Sequence, residues 1–212
     1  QSAIEIAPQV AAMLARFANR RDIVLVDQRG TGRSAPLACD AEGAALPLAE
    51  LFSLERQRER LAQCLARLQT LAYGDLRFFT TTLAMQDADA VRAALGAQRI
   101  NLVGSSYGTR AALEYQRQFP QRVRRMVIDG VAPPDMALPA ASSTDNQAAL
   151  DALMSACAAD AVCNAREPNL RDRWQALLAA LPRTAALRHP LSGRSEVLTL
   201  TRDVVLGMVR GP

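Results

Sequence analysis

The chain has 212 residues, 50% of them hydrophobic and 22% charged, with a formal net charge of +4 whose 25 basic residues are all arginine. That length holds one medium domain, or a domain with a smaller appendage, and the composition excludes a disordered chain. No apolar run approaches the roughly 20 residues of a transmembrane helix, and the arginines form no stripe beside aromatics, so neither a membrane span nor a nucleic-acid partner is expected.

The opening QSAIEIAPQV lacks the basic start and apolar stretch of a signal peptide, implying that any leader is removed or was never present. Residues 4–19 carry apolar side chains at helical spacing. IVLV (23–26) is a short apolar run without alternation, which suits a strand buried on both faces of a parallel sheet. The glycine-rich loop QRGTGRSAP follows, and 48–70 reads as a charged amphipathic helix. Next comes a helix with threonines 80–82 as N-cap candidates and Gly96 as its stop. INLV (100–103) is a second buried strand, followed by a serine turn, a helix ending near Phe119-Pro120, and a third strand at 123–129.

This order of helices and strands indicates an α/β domain with a doubly wound, mostly parallel sheet. After Pro134 the texture changes: 145–157 and 170–181 read as helices, and 185–200 as a hairpin around a Ser-Gly turn. A short helical start then runs to Pro212. The expected division is a sheet domain over 1–135 and a mostly helical cap over 136–212.

Gly104, Ser106 and Gly108 satisfy G-x-S-x-G. The pentapeptide alone is weak, but here a buried strand precedes it and a helix follows, which is the arrangement of a nucleophile elbow. The glycines are expected because side chains two residues either side of a strained serine would collide with the turn. Ser106 is therefore the candidate nucleophile. The Tyr107 N–H, at the start of a helix, is the candidate oxyanion donor. DQRGTGRS (27–34) lacks the form of a phosphate loop; as a turn at the end of a strand it would border the same pocket, with Asp27 accepting from loop N–H groups and Arg29 or Arg33 paired to a carboxylate.

Four cysteines, Cys39, Cys64, Cys157 and Cys163, fit no zinc pattern, and neither a metal nor a cofactor is implied. Spacing leaves open four reduced thiols or an oxidised set, with Cys157 and Cys163 enclosing a loop that a local bridge could close. An oxidised set would imply export. His189 is the only histidine. The order Ser106, Asp129, His189 matches the chain order of an α/β-hydrolase triad, yet His189 sits in the cap hairpin, where it reads as a partly exposed hairpin residue, and Asp129 reads as a turn residue. Trp174 reads as packed on a cap helix. Asp145, Asp151 and Glu167 are available carboxylates that nothing singles out.

Taken together, VLVDQRGTGRS, NLVGSSYGT and VRRMVIDGV resemble the α/β-hydrolase serine peptidases of the prolyl aminopeptidase and tripeptidyl aminopeptidase family, and ACAADAVCNA with Cys39 and Cys64 resembles the tripeptidyl branch. The resemblance implies an α/β-hydrolase fold with a helical cap and removal of proline or short peptides from a free N-terminus through an acyl-enzyme on Ser106. It also implies disulfides Cys39–Cys64 and Cys157–Cys163 and a periplasmic or secreted location. The family's glycine-rich oxyanion strand end and its catalytic acid and base are not found in these residues, so the chain is expected to be a fragment or a processed piece. The alternatives are an esterase or lipase on the same fold, or a catalytically silent hydrolase-like binding module.

Overall fold

The computed structural model describes residues 2–39, 46–137 and 140–210; the closing Gly211-Pro212 lies outside them. In chain order the first elements are α1 (Ala7–Met13), α2 (Ala15–Ala18), α3 (Leu48–Leu51), α4 (Leu54–Gln69) and α5 (Thr81–Ala94). Then come β1 (Ile100–Ser105), α6 (Tyr107–Gln118), β2 (Val123–Asp129), α7 (Ala140–Ala159) and α8 (Ala161–Arg166). The last are α9 (Leu170–Ala179), β3 (Arg183–Arg188), β4 (Ser195–Leu200) and α10 (Arg202–Arg210).

These fall into two compact units. The first groups Gln1–Cys39 with Gln63–Met136, and the second groups Asp40–Ala62 with Ala137–Pro212, so one boundary lies inside α4. The stretch around α3, which the sequence reading places before the cap, groups with the later elements.

In the first unit, β1 and β2 pair in parallel, with Val103 opposite Val127 and Ser105 opposite Asp129. The connection between them is α6, as a parallel pair requires a crossover. α6 packs on the strands, and α5 packs on α6. The ends of α5 are set by local chemistry. Thr80 Oγ1 accepts from the Leu83 N–H at 3.3 Å. At the other end Gly96 N–H donates to Ala93 and Ala97 N–H to Arg92, the paired bonds of a Schellman stop. The interior of this unit is anchored by Tyr115, 1% exposed, whose hydroxyl donates to Asp89 Oδ1 at 2.7 Å.

Three expectations are corrected here. Residues 23–26 belong to no ladder: a strand exists through its hydrogen-bonded neighbours, and among the described residues β1 pairs only with β2. Nor is the parallel pair buried on both faces. Val103 and Val127 are 59% and 62% exposed, whereas Leu102, Met126 and Ile128 are partly covered. The single expected helix of 4–19 is also two, broken at Leu14.

In the second unit β3 and β4 form an antiparallel hairpin, Arg183 opposite Leu200 through Arg188 opposite Ser195, with Gly193 in the turn at φ +69°. Its core is Leu48, Leu198 and Val204, with Leu51, Phe52, Leu187 and Leu200 packed against it. The Leu48 N–H donates to Glu196 Oε2 at 2.7 Å, which caps the start of α3 with a side chain from β4.

Candidate functional site

Ser106 stands between the end of β1 and the first residue of α6, with φ +53° and ψ −120°. A non-glycine residue with positive φ at this ψ is strained, and it persists only where its surroundings over-determine it. Several contacts do so. The Ser106 N–H donates to the Asp129 carbonyl at 3.0 Å, extending the parallel ladder by one rung. The Ser106 carbonyl accepts from the Thr109 N–H at 3.0 Å and from Thr109 Oγ1 at 2.7 Å. Thr109, 0% exposed, in turn accepts from the Ala132 N–H at 2.9 Å. Ser106 itself is exposed, at the N-terminus of a twelve-residue helix.

The flanking glycines are unequal. A Cβ on Gly104 would lie within 2.6 Å of the Gly108 carbonyl carbon and 3.0 Å of the Thr109 nitrogen, so this glycine lets the end of β1 and the start of α6 touch. A Cβ on Gly108 would meet nothing within 4 Å. The expectation that both positions are closed by crowding is therefore corrected: only Gly104 is.

The loop 27–35 is joined to the same turn. Tyr107 Oη lies 3.0 Å from Gln28 Nε2, which donates to it, and 2.9 Å from Thr81 Oγ1. Arg29 makes a two-toothed ion pair with Asp87, Nε to Oδ2 at 2.6 Å and Nη2 to Oδ1 at 2.7 Å, and donates from Nη1 to the Phe78 carbonyl at 2.6 Å. Asp87 raises the Arg29 guanidinium above its ordinary value. Asp27 is buried and accepts from Ser2 and from the loop N–H of Arg33. A cavity of about 580 Å³ opens beside these residues, lined by Val26, Asp27, Arg29, Tyr73, Phe79 and Asp87 among others.

Asp129 ends β2, and its backbone carbonyl holds the Ser106 N–H. Its carboxylate is bonded to no side chain among the described residues.

His189 lies in the second unit and is 1% exposed, which corrects its reading as a partly exposed hairpin residue. Its Nδ1 accepts from the N–H groups of Leu191 at 3.2 Å and Ser192 at 3.1 Å. Nε2 therefore carries the proton of the neutral ring and donates to the Leu46 carbonyl at 3.1 Å. Both nitrogens are committed to backbone, so in this arrangement the ring has no lone pair to offer a serine hydroxyl.

Cys39 is bonded to Cys64 and Cys157 to Cys163, with Cα atoms 5.6 and 5.1 Å apart, and no cysteine is free. In the second unit, half-buried Trp174 lines a cavity of about 190 Å³ with Leu150, Met154, Leu178 and Leu206. At its rim Asp151 is ion-paired with Arg171; Glu167 pairs with Arg173 at 2.7 Å.

A parallel strand, a strained serine and a helix follow one another directly in this chain. The alpha/beta hydrolase fold family matches residues 4–209. The chain belongs to that family. The chain is 36% identical over 131 residues to the tripeptidyl aminopeptidase of Streptomyces lividans, a stretch covering 58% of this chain and 24% of that protein. It is 33% identical over 145 residues to the serine protease Hip1 of Mycobacterium tuberculosis, covering 64% and 28% respectively. Similarity to the putative hydrolase YuaR of Escherichia coli is 30% over 111 residues, or 52% of this chain and 21% of that one. The chain thus spans about a quarter of the length of these curated relatives.

Three parts of the serine turn escape sequence reasoning: Thr109, Gln28 and Thr81. Each acts through a single hydroxyl or amide whose partner is far off in sequence or on the backbone. The only local signal was the threonine directly after Gly108, which no spacing rule marks.

Proposed function

We propose that this chain carries the nucleophile of a serine peptidase that removes proline or short peptides from free N-termini. One observation carries the reading: Ser106 is held at φ +53° in the sharp turn from β1 into α6, exposed above the end of the strands. The names of the relatives, a tripeptidyl aminopeptidase and a serine protease, support the substrate class.

In this reading Ser106 Oγ attacks the scissile carbonyl and the carbonyl oxygen takes up negative charge. The Tyr107 N–H and the positive end of α6 stabilise that charge. Collapse of the tetrahedral species expels the amine of the shortened peptide and leaves an acyl-enzyme, which water then cleaves. The proton relay needs a base with a free lone pair; His189, whose two nitrogens are both bonded to backbone, is not given that role in this reading. The two disulfides accord with an oxidising compartment, periplasmic or extracellular.

The test uses the full-length protein. A fluorophosphonate should label Ser106, and Ser106→Ala should abolish both labelling and hydrolysis of tripeptidyl or prolyl arylamides. Faster turnover of short acyl esters than of arylamides would favour an esterase. No labelling at all would leave the silent binding module as the better account.

A further inference from the structure

We propose that Thr109 is a positioning residue for the oxyanion donor, acting through the carbonyl of Ser106. The inference rests on the reading of Ser106 as nucleophile and adds the device that aims its first stabilising group.

The carbonyl of Ser106 and the N–H of Tyr107 belong to one peptide unit. That unit is planar and trans, so its C=O and N–H point in opposite directions and turn together. Whatever fixes the oxygen fixes the hydrogen. Thr109 grips the oxygen twice, by its N–H at 3.0 Å and by its hydroxyl at 2.7 Å. The hydroxyl is itself oriented, because Oγ1 accepts the Ala132 N–H at 2.9 Å and so directs its single proton at Ser106. With the side chain 0% exposed, no water competes for either bond.

Two effects follow at the opposite end of the peptide. The direction of the Tyr107 N–H is set before substrate arrives, so no reorganisation is spent when charge develops. In addition, a carbonyl that accepts hydrogen bonds polarises its own amide and makes the N–H a stronger donor. Ser106 sits at a backbone conformation that is otherwise unfavourable, and the same clamp keeps it there. A threonine that merely satisfied a buried N–H would affect stability alone. The geometry on Ser106 makes a different demand, on the rate of the step in which an oxyanion forms.

Thr109→Val keeps the shape and removes the hydroxyl; Thr109→Ser keeps the hydroxyl. Tyr115→Phe, two turns along the same helix, removes a buried hydrogen bond to Asp89 and serves as a destabilised control. In the full-length protein, the maximal rate of fluorophosphonate labelling and the half-saturating probe concentration are measured for each. Thr109→Val should lower the maximal rate about tenfold, less than the hundred- to thousandfold cost of deleting an oxyanion donor outright. The half-saturating concentration should stay unchanged, Thr109→Ser should recover most of the rate, and Tyr115→Phe should label like wild type. If Thr109→Val does not fold, Thr109→Ala takes its place under the same criteria. Labelling of the variant at the wild-type rate overturns the proposal and leaves the nucleophile reading intact, as does equal slowing in Tyr115→Phe. Absence of labelling in the wild type overturns both.

Discussion

The hydroxyl of Ser2 donates to Asp27 Oδ1 at 2.7 Å, and both side chains are buried. The same carboxylate accepts from the N–H of Ile4 at 3.3 Å and of Arg33 at 3.1 Å. An ionised carboxylate is an acceptor only, and every partner here is a donor, so the charged form fits the site. The Ser2 hydroxyl, followed by the backbone N–H groups of Arg33 and Ile4, holds the Asp27 carboxyl below its ordinary range. One side chain thus ties the start of the chain to the loop that runs up to the serine turn.

Gly32 leaves the space that this carboxylate occupies. A Cβ there would lie within 2.7 Å of Asp27 Oδ1, and the residue's φ of +51° disfavours a side chain in any case. Gly32→Ala should therefore expel the carboxylate, at a cost of order 1–3 kcal/mol from backbone strain alone. Asp27→Asn should loosen the same contacts, because its amide would present hydrogens to donors. In both variants amide exchange at Ile4 and Arg33 should quicken. Wild-type exchange at these two amides in either variant would refute the anchoring role of Asp27.

The two glycines of the serine turn give a second prediction, since they are alike in the motif and unlike in space. Gly104→Ala would drive a methyl into the Gly108 carbonyl, and neither backbone can yield without moving β1 from α6. It should cost about 3 kcal/mol, the upper end of overpacking, and abolish labelling of Ser106. Gly108→Ala adds a methyl to open space in the first turn of a helix, where alanine is the better helix former, and should be neutral or stabilising by up to about 1 kcal/mol. Denaturant midpoints of the two variants decide the matter. Equal effects would show that the turn is closed on both sides.

Much of this arrangement is written in short-range sequence. The caps of α5, the succession β1, serine turn, α6, β2, and the hairpin around Gly193 all depend on residues a few positions apart. What sequence could not supply is long-range. Residues 23–26 have the apolar run of a buried strand, yet a ladder needs a neighbour, and none of the described residues pairs with them. The stretch around α3 groups with later elements through Leu48, which meets Glu196 and Leu198. His189 reads as a polar hairpin residue, but Leu46, 143 positions away, takes its Nε2–H and lets the ring be buried. Clamping of Ser106 by Thr109 escapes a motif reading for another reason: the bond runs to backbone, which leaves no trace in residue identity.

Acid should weaken the first unit, and Glu114 offers the clearest test. Its carboxylate accepts from Arg117 Nε at 2.8 Å and Nη2 at 2.7 Å, and from Gln118 Nε2 at 2.9 Å. Arg117 is the main cause of its lowered pKa, which falls from 4.5 to about 2. Asp89 is likewise lowered, first by Arg92 and then by the Tyr115 hydroxyl. The sign follows from proton counting. Between pH 4.5 and 2 the unfolded chain binds a proton at Glu114 that the folded chain refuses, so protons favour unfolding. The stabilisation is complete above the unfolded value and is lost as pH falls through this window. Glu114→Gln cannot bind that proton, so its urea midpoint should lie below wild type at pH 7 and the gap should narrow toward pH 2. A gap of constant size from pH 7 to pH 2 would show that the pair with Arg117 contributes nothing to acid sensitivity, and that the shift belongs to Asp89 and its neighbours instead.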